Sequence, residues 1–216
     1  MSEQNGRGRR LAGIFFDTFL VRNIVLVKMI GLCPIIAAAT NLKSAVTLTV
    51  CAALILLPTA FLMSLVGEKL KPVIRAPLYT LLAAGILVGI AFLLNTYIEP
   101  ELYAALYLFL PLMAVNTLMT YRVGGFAVAA RPPEAMADAL GSVFGFGAVI
   151  CIVGLVRELL AFGTLWEVPL LAKPPLPVAA SPFVAFLLVA MLAAGLQFVR
   201  EMLRRFVEGE VTVGDE

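Results

Sequence analysis

The sequence predicts an all-α membrane protein of six transmembrane helices, and three observations carry that reading. Of 216 residues, 62% are hydrophobic and 14% charged, with a mean hydropathy of +1.01, whereas soluble domains carry about 45–50% apolar and about 25% charged residues. Apolar runs close to the roughly 20 residues needed to cross a hydrocarbon core recur six times. Lys and Arg crowd into every second break between those runs, which is how a chain that weaves across a membrane distributes its positive charge.

The six runs cover residues 14–39, 45–66, 77–98, 102–119, 140–162 and 182–203. The breaks between them are too short to fold separately, so residues 1–216 read as one integral-membrane domain with tails at 1–13 and 206–216. The first run contains Arg22 and Lys28 and precedes no soluble domain, so it is expected to remain in the protein rather than be cleaved as a signal peptide. Eleven basic residues fall on one side: Arg7, Arg9, Arg10, Lys69, Lys71, Arg75, Arg122, Arg131, Arg200, Arg204 and Arg205. Only Lys43 and Lys173 fall opposite. By the positive-inside rule this bias places both termini in the cytoplasm, which six crossings satisfy and an odd number would not.

Two runs are predicted to be broken. The first carries Gly31-Leu32-Cys33-Pro34, where Pro34 lacks a backbone donor and is expected to stop or kink a helix begun near Asn23. The fourth carries Pro111 and then Asn116 and Thr117. Polar groups and freed carbonyls at membrane depth are tolerated only where protein or a cavity covers them. Broken elements in first and fourth place are what two inverted three-helix repeats would bring face to face.

The chain has no histidine, which excludes Ser-His-Asp and HExxH chemistry. Cys33, Cys51 and Cys151 all sit in apolar surroundings, so structural disulfides are not expected. Cys33 lies beside a helix break, where free amides can stabilise a thiolate or a cluster sulfide, and its plainer reading is a small buried hydrophobe. Arg157 and Glu158, late in the fifth run, read either as a functional or interface pair or as side chains snorkelling to the membrane surface; Lys28 poses the same choice, and Glu158 is the one acid expected at membrane depth. Gly141, Gly145 and Gly147 form a small-residue face suited to helix packing. No phosphate-binding loop is present.

Taken together, the stretch from Asn23 to Pro34, the run Phe109-Leu110-Pro111-Leu112-Met113-Ala114-Val115-Asn116, the segment Gly154-Leu155-Val156-Arg157-Glu158-Leu159-Leu160 followed by Gly163-Thr164-Leu165-Trp166, and Ser181-Pro182-Phe183 resemble the RnfE/NqrD and RnfA/NqrE family, the small membrane subunits of the Rnf and Na⁺-translocating NADH:quinone oxidoreductase complexes. The resemblance implies a bacterial inner-membrane subunit that packs against an RnfA/NqrE-like partner of opposite orientation. It also implies a [2Fe–2S] cluster shared between them, with Cys33 as one ligand and Asn116 beside the second. In this chain the second family cysteine is replaced by Thr117, and Tyr121-Arg122-Val123-Gly124-Gly125-Phe126 departs from the family's Gly-Arg-Ala-Glu-Ala-Phe. Three outcomes follow: a cluster held by Cys33, two partner thiolates and Thr117 or water; no cluster, leaving a membrane scaffold or a small-solute or ion transporter; or a substitute ligand in Cys51 or Cys151.

Overall fold

The computed structural model describes residues 10–21, 23–98, 100–166, 168–170 and 174–213. Residues 10–16 are helical and run into a π-helical turn, Asp17–Val21. Two short helices follow, α1 (Ile24–Lys28) and α2 (Leu32–Ala37). Then come α3 (Leu42–Val66), α4 (Pro72–Leu93), α5 (Pro100–Leu106), α6 (Leu110–Ala114) and α7 (Thr117–Met119), the last continuing as a π-helical segment, Thr120–Ala127. After α8 (Pro132–Ala161) a two-stranded hairpin pairs β1 (Thr164–Leu165) with β2 (Val168–Pro169), and α9 (Pro182–Val213) closes the chain.

Four helices are long and apolar enough to cross a membrane: Leu42–Lys69, Pro72–Thr96, Pro132–Ala161 and Pro182–Met202. The pair Pro100–Leu106 and Leu110–Ala127, bent by 64°, makes a fifth if it counts as one span. The protein is therefore a mostly helical, multi-pass membrane protein with four to five candidate spans. The first expected run differs most. Among the described residues it forms only the short pieces ending at Val21, Lys28 and Ala37, none long enough to span.

Both broken runs break elsewhere than at their prolines. Met29 (φ 53°) and Gly31 (φ 80°) end α1 by turning left-handed. Glycine takes that conformation freely, whereas at Met29 it is strained. Pro34 sits in the first turn of α2, where its missing N–H would have had no helical partner. Pro111 likewise lies at the start of α6, and the polar break follows it at Val115–Asn116.

The centre of the bundle is α8, which packs most extensively on α3. Its small residues set that distance. A Cβ on Gly147 would lie 2.5 Å from Thr49 Cγ2, and one on Gly154 would lie 3.0 Å from Ala45 Cβ. Gly141 and Gly145, one turn apart, admit the first segment instead: added Cβ atoms would meet Phe15 O at 2.8 Å and Asn23 Nδ2 at 3.0 Å. In lipid, where tails are as apolar as leucine, such close backbone approach supplies the van der Waals contact that holds helices together. The expected packing role of Gly141, Gly145 and Gly147 is thus divided between two faces of one helix.

Candidate functional site

The two broken elements meet. Gly31 N donates to Thr117 Oγ1 at 3.2 Å, Thr117 Oγ1 donates to Asn116 Oδ1 at 3.3 Å, and Asn116 Oδ1 caps α7 by accepting from Leu118 N at 3.2 Å. A Cβ on Gly31 would stand 3.6 Å from Asn116 Oδ1 and 3.8 Å from the fully buried ring of Phe146. Gly31 therefore serves twice, through its left-handed turn and through the room it leaves for Asn116. Asn116 is buried, and its Nδ2 has no hydrogen-bond partner among the described residues. Cys33 and Thr117, each near the start of its half-helix, are both exposed on the chain's surface. Cys51 is buried and Cys151 half-buried, and neither lies at a helix break. All three cysteines are free thiols.

Lys28 closes one flank of this joint. Its Nζ hydrogen-bonds to the Tyr121 hydroxyl and sits 4.0 Å from the centre of that ring, one turn beyond Thr117. The next residue, Arg122, points inward: its Nη1 donates to Asp138 Oδ1 at 2.7 Å, and Thr18 Oγ1 donates to the same oxygen at 2.9 Å, all three residues being buried. Sequence alone marks Arg122 only as a positive charge in a break and passes over Asp138. The available signal was a lone acid in the turns leading into an apolar run, where an unpaired charge is not tolerated.

Arg157 and Glu158 lie at the other end of α8, and neither snorkels, each being 1% exposed. Arg157 donates only to backbone carbonyls among its five contacts: Nη1 to Ile36 O (3.1 Å) and Ala39 O (2.8 Å), Nε to Ala179 O (3.2 Å), and Nη2 to Ala180 O (2.6 Å) and Ser181 O (3.5 Å). Glu158 accepts from Leu42 N at 2.7 Å, at the start of α3, and from Thr164 Oγ1 at 3.2 Å. Lys28, Asn116 and Cys33 are thus brought to one joint. Arg157 and Glu158 form a separate cluster around residues 36–42. Arg22 lies outside the described residues.

Among the described residues no three Cys, Asp or Glu side chains gather into a metal-binding group. What the joint offers iron is the Cys33 thiol. Thr117 contributes a neutral hydroxyl already engaged with Gly31 and Asn116, whereas a [2Fe–2S] cluster ordinarily takes four thiolates. Two ligands from this chain therefore do not fit; one does.

Apolar crossing helices, with two interrupted elements abutting inside the bundle, define a polytopic membrane protein that keeps irregular backbone at depth only where other parts of the chain cover it. The chain belongs to the Rnf-Nqr family: the family model for "Rnf-Nqr subunit, membrane protein" matches residues 11–199. It is similar to the E subunit of the ion-translocating oxidoreductase complex of Shewanella sp. (strain ANA-3), at 34% identity over 142 residues, 66% of this chain and 61% of that one. The proteins of the same name from Aliivibrio fischeri (strain MJ11) and Thioalkalivibrio sulfidiphilus (strain HL-EbGR7) are 31% and 33% identical, over 67% and 68% of this chain and 63% and 64% of theirs. The match spans less than two thirds of the length of these curated relatives.

Proposed function

We propose that this chain is a membrane subunit of an Rnf/Nqr-type ion-translocating oxidoreductase complex, the counterpart of the curated relatives it matches. In this reading it sits in a bacterial inner membrane with both termini in the cytoplasm, built as two inverted three-helix repeats. It pairs with an RnfA/NqrE-like subunit through the face that carries Cys33. The observation that supports this most directly is the meeting of the first and fourth elements at Gly31 and Asn116–Thr117, with Cys33 exposed beside it. An exposed thiol at a helix break is poorly explained by packing within one chain and well explained by a second subunit against that face.

A [2Fe–2S] cluster at the shared face would supply one-electron transfer, and Cys33 is the thiolate this chain has for it. Thr117 instead ties the two half-helices to each other, and Asn116 caps the second of them. Lys28, held over Tyr121, brings a positive charge to the flank of the joint. The remaining ligands would belong to the partner. A second reading, a cluster-less scaffold or small-solute or ion transporter on the same fold, is favoured by one observation: the Thr117 hydroxyl is already spent on Gly31 and Asn116.

Iron and acid-labile sulfide in the chain co-purified with its RnfA/NqrE-like neighbour separate the two. The first reading expects about two irons per pair, lost in Cys33→Ser. It also expects Thr117→Cys to retain or raise the iron content. An intact pair without iron, gaining none in Thr117→Cys, sinks the electron-relay reading and leaves the scaffold.

A further inference from the structure

We propose that Arg157 and Glu158 are positioning residues for Cys33. Side by side on α8, they grip the two ends of the turn that returns the Cys33 half-helix to the bundle. Arg157 holds the carbonyl end, through Ile36 O and Ala39 O just past the last turn of α2. Glu158 holds the amide end, through Leu42 N at the first turn of α3. Each charge is the one its helix terminus favours, a cation at exposed carbonyls and an anion at exposed amides. From Arg157 the connection to Cys33 is short: Ala39 O accepts from Arg157, and Ala39 N donates at 3.2 Å to the carbonyl of Pro34, the residue after Cys33.

Stability alone is a poor reason for this arrangement. A buried guanidinium loses its hydration, and apolar side chains of similar volume often replace buried charges without loss. What the planar fork supplies and an apolar side chain lacks is direction, with donors aimed at five carbonyls from two separate segments. One of those segments, Ala179–Ser181, leads directly into α9, so the half-helix is fixed relative to α3, α8 and α9 together. None of this depends on whether Cys33 binds iron.

The test reads Cys33 itself. The full-length chain, in membranes from cells lacking its partner subunits, is alkylated with N-ethylmaleimide, and each cysteine is followed separately by mass spectrometry. Arg157→Gln is expected to raise the Cys33 rate about fivefold or more while buried Cys51 stays protected, because the half-helix opens locally rather than with the whole bundle. Arg157→Lys keeps the charge and loses the fork, and should raise the rate about threefold. Ile55→Ala, which creates a cavity in the buried face of α3, should leave Cys33 within about twofold despite lowering overall stability. Equal acceleration in Ile55→Ala, or an unchanged Cys33 rate in Arg157→Gln with Cys51 protected, overturns the proposal. Should Arg157→Gln expose Cys51, Arg157→Lys decides in its place, and an unchanged Cys33 rate there overturns the proposal equally.

Discussion

At one end of α8, Arg157 and Glu158 are buried and answered by backbone groups from residues 36–42 and 179–181 and by Thr164. At the joint of the broken elements, Cys33 and Thr117 stand on the surface, and Asn116 keeps an amide nitrogen without a hydrogen-bond partner among the described residues. Both regions put polar groups where a membrane protein can least accommodate them. The first is completed within the chain and reads as framework. The second is left open on one side, which is the condition of a surface meant for something outside the chain. Charge at membrane depth is therefore not in itself a mark of function; what distinguishes the two regions is whether the chain supplies the partners.

Removing the framework should have the largest effect. Arg157→Met orphans several buried carbonyls at about 1–3 kcal/mol each, so a loss of more than about 3 kcal/mol is expected in unfolding by sodium dodecyl sulfate titration. A loss under about 1 kcal/mol would make the two regions alike. Gly147→Val tests the surface on which the framework rests. Its side chain enters space already filled by Thr49, and a loss of about 1–3 kcal/mol should appear in the same titration. Thr117→Val should have the smallest effect. It removes the acceptor for Gly31 N while the half-helices remain packed, so about 1 kcal/mol is expected, read as a small thermal shift of the purified chain. A loss as large as that of Arg157→Met would show that the joint, too, is framework.

The long apolar spans were legible because their signal is local: twenty or so residues without interruption dictate a crossing helix whatever surrounds them. The spans at Leu42–Lys69, Pro72–Thr96, Pro132–Ala161 and Pro182–Met202 follow the expected runs closely. That the first and fourth elements would be interrupted was legible as well, but the residues responsible were not. Proline was expected to end helices, yet Pro34 and Pro111 stand where helices begin, and the breaks fall at Met29–Gly31 and Val115–Asn116. A proline reads the same in either role until the hydrogen bonds around it are known.

At the site, Cys33 stood out because it adjoins Gly31 and Pro34. Its meeting with Thr117 spans more than eighty residues of chain, and no local pattern encodes it. The same holds for Arg157, whose partners are main-chain carbonyls, and a carbonyl leaves no trace in side-chain identity. Asp138 was overlooked because it stands just ahead of the apolar run, where a solvated acid would look the same. Only the placement of Thr18 and Arg122 against it shows a buried ion pair.

The π-helical segment Thr120–Ala127 bears on how this sequence can change. A π turn holds roughly one more residue than an α turn, so it accommodates an insertion that an α-helix would have to expel. Within it Tyr121 meets Lys28 on the surface while its neighbour Arg122 turns inward to Asp138. Deleting a single residue here would let the segment relax to α geometry and rotate everything beyond the deletion by about 100°, a consequence of 3.6 residues per turn. One of those two contacts would then be lost whichever residue was removed. The number of residues between Thr117 and α8 is therefore under constraint even where their identities are not, and lineages of this chain should tolerate substitution in that stretch far better than a change in its length.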